Sequence, residues 1–111
     1  MDFIIEKREN YTLVLVENEK LDARVAPNLK SDLVVLSGTG EKNILLDMSK
    51  CKYCDSSGLS AILVANRLCK NAGGRFVLTE LNEAVARLIT ISQLDSVLVI
   101  SPSVEESEKL F

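Results

Sequence analysis

The 111 residues match one domain of ordinary size, roughly 100–150 residues, and leave no room for a second. Apolar residues at 47% and charged residues at 26% suit a packed core, while a net charge of −3 has the wrong sign for a protein that displaces counterions from nucleic acid. Histidine is absent, which excludes a Ser-His-Asp triad, a Cys-His pair, an imidazole metal ligand and a phosphohistidine relay.

Phe3 to Ile5 and Tyr11 to Val16 are β-branched or aromatic runs separated by Glu6 to Asn10, a polar stretch of hairpin length; they predict two paired strands. Pro27, tolerated at a helix start, is followed by Leu29, Leu33 and Leu36 at helical spacing, and Ser37-Gly38-Thr39-Gly40 ends this first helix. Gly38-Thr39-Gly40 lacks the lysine and spacing of a phosphate-cradling loop and reads as a turn. Ile44 to Leu46, ending at Asp47, is a short continuous apolar run, the pattern of a strand buried on both faces, so helices must cover the sheet. A second helix over Ser57 to Ala72 closes on Gly73-Gly74 and leads to another apolar strand at Phe76 to Leu78, which implies a right-handed parallel crossover. A third helix is expected from about Asn82 to Ile91, and Val97 to Ile100 reads as a last strand. Ser103 with Glu106 forms a capping box, so Val104 to Phe111 should be helical, with Val104, Glu108 and Phe111 on one side.

No apolar stretch approaches the roughly 20 residues of a membrane span, and Met1-Asp2-Phe3 runs into patterned sequence without a basic, then apolar, leader. A cytoplasmic location without direct membrane insertion is expected. The three cysteines are odd in number and suit reduced thiols. Cys51 and Cys54 have C-x-x-C spacing, but with no second pair and no histidine a metal site lacks ligands, so buried or idle thiols are expected.

Asp55-Ser56-Ser57-Gly58-Leu59 lies between the strand ending near Asp47 and the second helix, so its hydroxyls should project from a loop at a helix N-terminus. In α/β sheets ligands and modifications collect at such places, where unpaired N–H groups and a partial positive charge can host a phosphate. A simpler role fits as well: Asp55 or Ser56 caps the helix, worth typically ~1 kcal/mol, although a cap needs only one of them. Taking about 100° per residue, Ala61, Ile62, Ala65, Leu68, Cys69 and Ala72 form the core face of this helix, opposite Ser60, Asn66, Arg67, Lys70 and Asn71. Leu59 and Leu63 fall among the polar residues. Either they form an apolar docking spot beside Ser57, or a neighbouring helix or loop covers them.

Asp47 together with Cys51-Lys52-Tyr53-Cys54-Asp55-Ser56-Ser57-Gly58-Leu59 resembles the signature of STAS domains, the anti-sigma-factor antagonist family. Leu21-Asp22, followed by Ala26-Pro27 and a helix, resembles that family's first strand-to-helix loop, and the order of elements agrees across essentially the whole chain. Asn18-Glu19-Lys20 departs from the pattern, because a glycine is usual before the Leu-Asp pair. The resemblance implies a single STAS domain over residues 1–111, an α/β fold with a mixed sheet of about four to five strands covered by about four helices. It further implies a switch in partner-switching control of a sigma factor. The antagonist captures an anti-sigma factor with serine kinase activity, is phosphorylated on the loop serine, and is restored by a serine phosphatase. Carried over by position, the acceptor is Ser57, with Ser56 the less favoured alternative. Asp22 and Asp55 match acidic positions near the acceptor and the partner-facing surface, and Asp47 matches a strand-end residue that shapes the site; Gly58 of the motif and the candidate docking residues Leu59 and Leu63 complete the expected partner-binding set. The kinase brings ATP and Mg²⁺, so no cofactor is expected of this chain.

Rival readings are weaker. A Ser57 nucleophile would need a lysine or carboxylate base, and nothing marks Lys50, Lys52 or Lys70 as desolvated, so no catalytic residue is expected. A receiver domain phosphorylated on Asp47 would need an acidic pair after its first strand, which is missing. A STAS module attached to a transport system, or one sensing a small ligand, keeps the fold and changes the job.

Overall fold

The computed structural model describes residues 2–111. In chain order its elements are β1 (Phe3–Lys7), β2 (Thr12–Val16), β3 (Lys20–Leu21), α1 (Ala26–Gly38), β4 (Ile44–Asp47), β5 (Tyr53–Cys54), α2 (Ser56–Asn71), β6 (Phe76–Thr79), α3 (Glu83–Ile91), β7 (Val99–Ser101) and α4 (Val104–Glu108), with a 3₁₀ turn at Leu94–Ser96. Five strands form a mixed sheet in the order β1-β2-β4-β6-β7. β1 runs antiparallel to β2, pairing Phe3 with Val16, and every other neighbour in this sheet is parallel.

Alternation along the strands divides the core in two, because successive side chains point to opposite faces. Val14, Ile44, Leu46, Phe76 and Leu78 join Leu29 and Leu33 of α1, Ile62 and Ala65 of α2, and Val85 and Ile89 of α3 in the larger cluster. On the other face Leu13, Leu45 and Val77 meet Tyr11, with Val104 and Phe111 of the C-terminal segment packed against them. Both faces of β4 are therefore buried, as its unbroken apolar run predicts. The C-terminal segment is anchored by polar contacts too. Ser103 accepts a hydrogen bond from the Glu106 N–H at 3.1 Å, the Tyr11 hydroxyl donates to Glu108 at 2.8 Å, and Phe111 stacks on Tyr11 with ring centroids 4.8 Å apart.

The differences from the expected pattern are local. β1 continues through Glu6 and Lys7, because backbone pairing with Leu13 and Thr12 holds polar residues extended at the sheet edge. The last strand starts at Val99 rather than Val97: the N–H groups of Val97 and Leu98 both bond the Leu94 carbonyl and close a turn. β3 and β5, two residues each, form a separate parallel pair that no hydrophobic period announces. On α2, Asn66 is buried while Ala72, one residue past the last helical turn, is exposed.

Candidate functional site

β4 delivers the chain to Asp47, whose carboxylate accepts a hydrogen bond from the Ser49 N–H at 2.9 Å and tightens the turn that follows. The next loop is tied to the segment before α1. The N–H groups of Lys52 and Tyr53 both donate to the Glu19 carbonyl, at 2.7 and 3.0 Å, and β5 then runs beside β3, pairing Leu21 with Cys54. This small sheet brings the Leu21-Asp22 loop against Cys54-Asp55, so two sequence segments that are far apart meet at one end of α2.

Asp55 is the N-cap of α2: its carboxylate accepts from the Gly58 N–H at 3.1 Å. Of the two possible caps, Asp55 takes the role and Ser56 does not. Among the described residues no hydrogen bond engages the hydroxyl of Ser56 or Ser57, and no unpartnered side-chain oxygen is buried, so the half-buried Ser57 still reaches solvent with its Oγ. Ser56 is exposed. Both serines line a shallow cleft of about 260 Å³ between α1 and α2, together with Ser60 and with Ala23, Ala26, Pro27 and Lys30 of the facing segment.

Asp22 sits at the rim of this region with its carboxylate bonded to the Arg24 N–H at 3.1 Å and to the Arg24 guanidinium at 3.2 Å. Burial alone would raise its pKa. The Arg24 N–H and guanidinium, with the Val25 N–H, outweigh that cost and hold the carboxyl below its ordinary range. The Asp22 carbonyl also accepts the Val25 and Ala26 N–H groups, at 3.0 and 2.8 Å, which starts α1 although Val25 offers no capping side chain. All three cysteines are buried and free, Cys51 and Cys54 on the segment that leads into α2 and Cys69 near the far end of that helix. Burial pushes the Cys54 thiol up to about 12 and the Cys69 thiol up to about 11, and raises Cys51 as well. Such thiols stay protonated and unreactive at neutral pH.

Two of the expected partner-facing residues, Gly58 and Leu59, lie in the interior. Gly58 is buried: a Cβ there would lie closer still to the Leu21 carbonyl oxygen than the 2.5 Å it would leave to Cys54 Sγ. Leu59 is 9% exposed and belongs to the core, while Leu63 is half-buried and packs against it. Of the two readings of Leu59 and Leu63, the covered one therefore holds, and they form no open apolar spot beside Ser57. The reason is that α2 packs against α1 and β5 as well as the sheet, which widens its buried arc beyond a single face. The large apolar group exposed on the site's own strands is Tyr53 of β5, at 52%. Lys30 was not singled out by sequence, although it stands one helical turn beyond Ala26, within the Ala26-Pro27 segment's own face.

The STAS domain profile matches residues 2–107. The chain belongs to the STAS domain family. BtrV of Bordetella bronchiseptica, named as a candidate anti-sigma factor antagonist, is 28% identical over 86 residues, 78% of this chain and 74% of BtrV. A Thermotoga maritima protein described in the same terms superposes with a TM-score of 0.86 at 24% identity, covering 96% of this STAS domain and 92% of that chain. SpoIIAA of Bacillus, a cell-fate determinant solved in its phosphorylated form, shares the fold with a TM-score of 0.75 at 16% identity over 98% of this chain and 99% of its own. No helix among the described residues of this STAS domain is long and apolar enough to cross a membrane.

Proposed function

We propose that this STAS domain is an anti-sigma factor antagonist that binds an anti-sigma factor with serine kinase activity and is switched off by phosphorylation of Ser57. The observation that carries the reading is the division of labour at the start of α2: Asp55 alone caps the helix, which leaves the Ser57 hydroxyl unengaged and accessible. Ser57 is favoured over Ser56 by its position in the Asp-Ser-Ser-Gly motif. In the transfer step Ser57 Oγ attacks the γ-phosphorus of ATP held by the kinase, the bond to the ADP oxygen breaks, and the hydroxyl proton passes to a base on the kinase. A serine phosphatase reverses the mark by directing water onto the same phosphorus, releasing inorganic phosphate and regenerating the hydroxyl. The domain itself is not an enzyme, needs no cofactor and works in the cytoplasm.

The phosphate adds about −1.5 to −2 charges and three acceptor oxygens to a surface that already carries Asp22 and Asp55. That SpoIIAA keeps this fold while phosphorylated supports a switch by surface charge rather than by refolding. With Gly58 and Leu59 interior, contact with the kinase falls to Asp22, Asp55, the exposed Tyr53 and the half-exposed Leu63.

The test is affinity capture from native lysate with ATP and Mg²⁺, comparing wild type, Ser57→Ala and Ser57→Asp, with the modified residue mapped by mass spectrometry. Ala should retain a protein that phosphorylates wild type at residue 57 while remaining unmodified itself, and Asp should retain less. Equal capture by all three, or a phosphate mapped to a different residue, would overturn the proposal and favour a transport-associated or ligand-sensing role.

A further inference from the structure

The cleft beside Ser57 has one cationic lining residue, Lys30, half-buried on α1, which shares the lining with Ser56, Ser57 and Ser60 of α2. Among the described residues no carboxylate lies within ion-pair distance of its ammonium; the ion pairs of the chain use Lys7, Arg8, Arg24, Lys50, Lys52, Arg87 and Lys109. The other basic group near the site, Arg24, is engaged at 3.2 Å by Asp22. A lysine that lines the same cleft as three serines and has no carboxylate of its own is an unfilled half of a charge pair. Anions gain most from such a partner where burial limits screening by water and salt.

We infer that Lys30 is the intramolecular counter-ion of phosphorylated Ser57. The inference rests on Ser57 being the acceptor and adds a residue to the regulation of that site. In the unmodified domain the ammonium is open to an incoming partner; once Ser57 is phosphorylated it is occupied from within. The modification then acts twice, by adding negative charge and by withdrawing the one free cation of the cleft. Pairing also holds the phosphate against α1, so the new charge is presented at a fixed place.

Phosphoserine can be installed at position 57 during translation, which separates this inference from the identity of any kinase. The charged groups around it are Lys30 of α1, Asp22 and Arg24 of the preceding loop, and Asp55 at the cap of α2. The phosphate's second ionisation, ordinarily near pH ~6, is followed by ³¹P NMR in the full-length phosphoprotein. Pairing favours the dianion, so wild type should titrate lower than Lys30→Met by about half a unit, roughly a threefold change in proton affinity, and Lys30→Arg should restore the wild-type value. Thermal melts of the three proteins confirm that each is folded, and Lys30→Gln serves in place of Met if that variant is not. Identical titrations with and without the cation would overturn the inference. If the installed phosphate shows the shift but native lysate never phosphorylates Ser57, the counter-ion stands and the proposed function fails.

Discussion

Gly58→Ala tests whether the close approach of α2 to β3 is what holds the site together. The added methyl would meet the Leu21 carbonyl oxygen at less than van der Waals distance, Cys54 Sγ at 2.5 Å and Leu21 Cγ at 3.1 Å. All three atoms belong to the small β3-β5 sheet, and the oxygen is backbone, which cannot swing aside as a flexible side chain could. Overpacking of this kind costs about 1–3 kcal/mol, and a backbone clash belongs near the upper end. Alanine recovers about 0.5–1 kcal/mol over glycine inside a helix. The net expectation is a loss of about 2 kcal/mol, a fall in Tm of about 8 °C and in the urea midpoint of about 1 M. Gly38→Ala is the internal control, because a Cβ there has no neighbour within 4 Å and the backbone needs no left-handed conformation. It should be neutral or slightly stabilising. Thermal and urea unfolding of both variants decide the matter. A Gly58→Ala protein as stable as Gly38→Ala would refute the claim that this glycine is there for packing.

Two further outcomes follow from the site. Asp55→Ala should cost about 1 kcal/mol through the lost N-cap, whereas Ser56→Ala and Ser57→Ala should each stay within about 0.5 kcal/mol; a larger loss for either serine in urea unfolding would mean that it shares the capping role. Asp22 titrates lower folded than its unfolded value of about 3.9, so its stabilising contribution is complete above that pH and is lost as pH falls through the lower, folded value. The Tm difference between wild type and Asp22→Asn should therefore be widest near pH 6 and shrink towards pH 2.5; a constant difference across that range would contradict the hydrogen-bonding account.

The elements with their own periodicity were legible in the sequence. Leu29, Leu33 and Leu36 mark α1, the unbroken Ile44–Leu46 run marks the doubly buried β4, and Ser103 with Glu106 marks the start of α4 down to the bond that caps it. Their order pointed to helices covering a sheet with a parallel crossover, and the resemblance to STAS domains supplied the mixed-sheet fold class. Illegible were features made only by tertiary contact. β3 and β5 have two residues each, too few for any period, and exist because the Glu19 carbonyl collects two N–H groups from the opposite loop. Angular reasoning left Leu59 and Leu63 open between a docking spot and a covered face, and the choice fell to coverage because α2 is packed from two directions. The choice of cap among Asp55 and Ser56 needed a distance, and the approach of Lys30 to the serines needed the packing of one helix on another.

The same contacts bear on how a phosphate at Ser57 would be felt. The start of α2 is held by the Asp55 cap, by the Gly58 contact with Leu21 and by the β3-β5 pairing. Moving it would cost the cap, about 1 kcal/mol, together with the packing that Gly58 permits. Charge repulsion needs no such movement. Two unit charges about 4 Å apart interact by about 1 kcal/mol in water and more where the surface is partly dry, and a phosphate of about −1.5 to −2 facing a partner's carboxylate raises this proportionately. Since 1.4 kcal/mol is a tenfold change in affinity, about 2 kcal/mol of repulsion weakens binding roughly thirtyfold with the backbone unmoved. Ejection by charge is thus the less costly route for a site this firmly anchored, and Lys30 sets how much of that charge the partner meets.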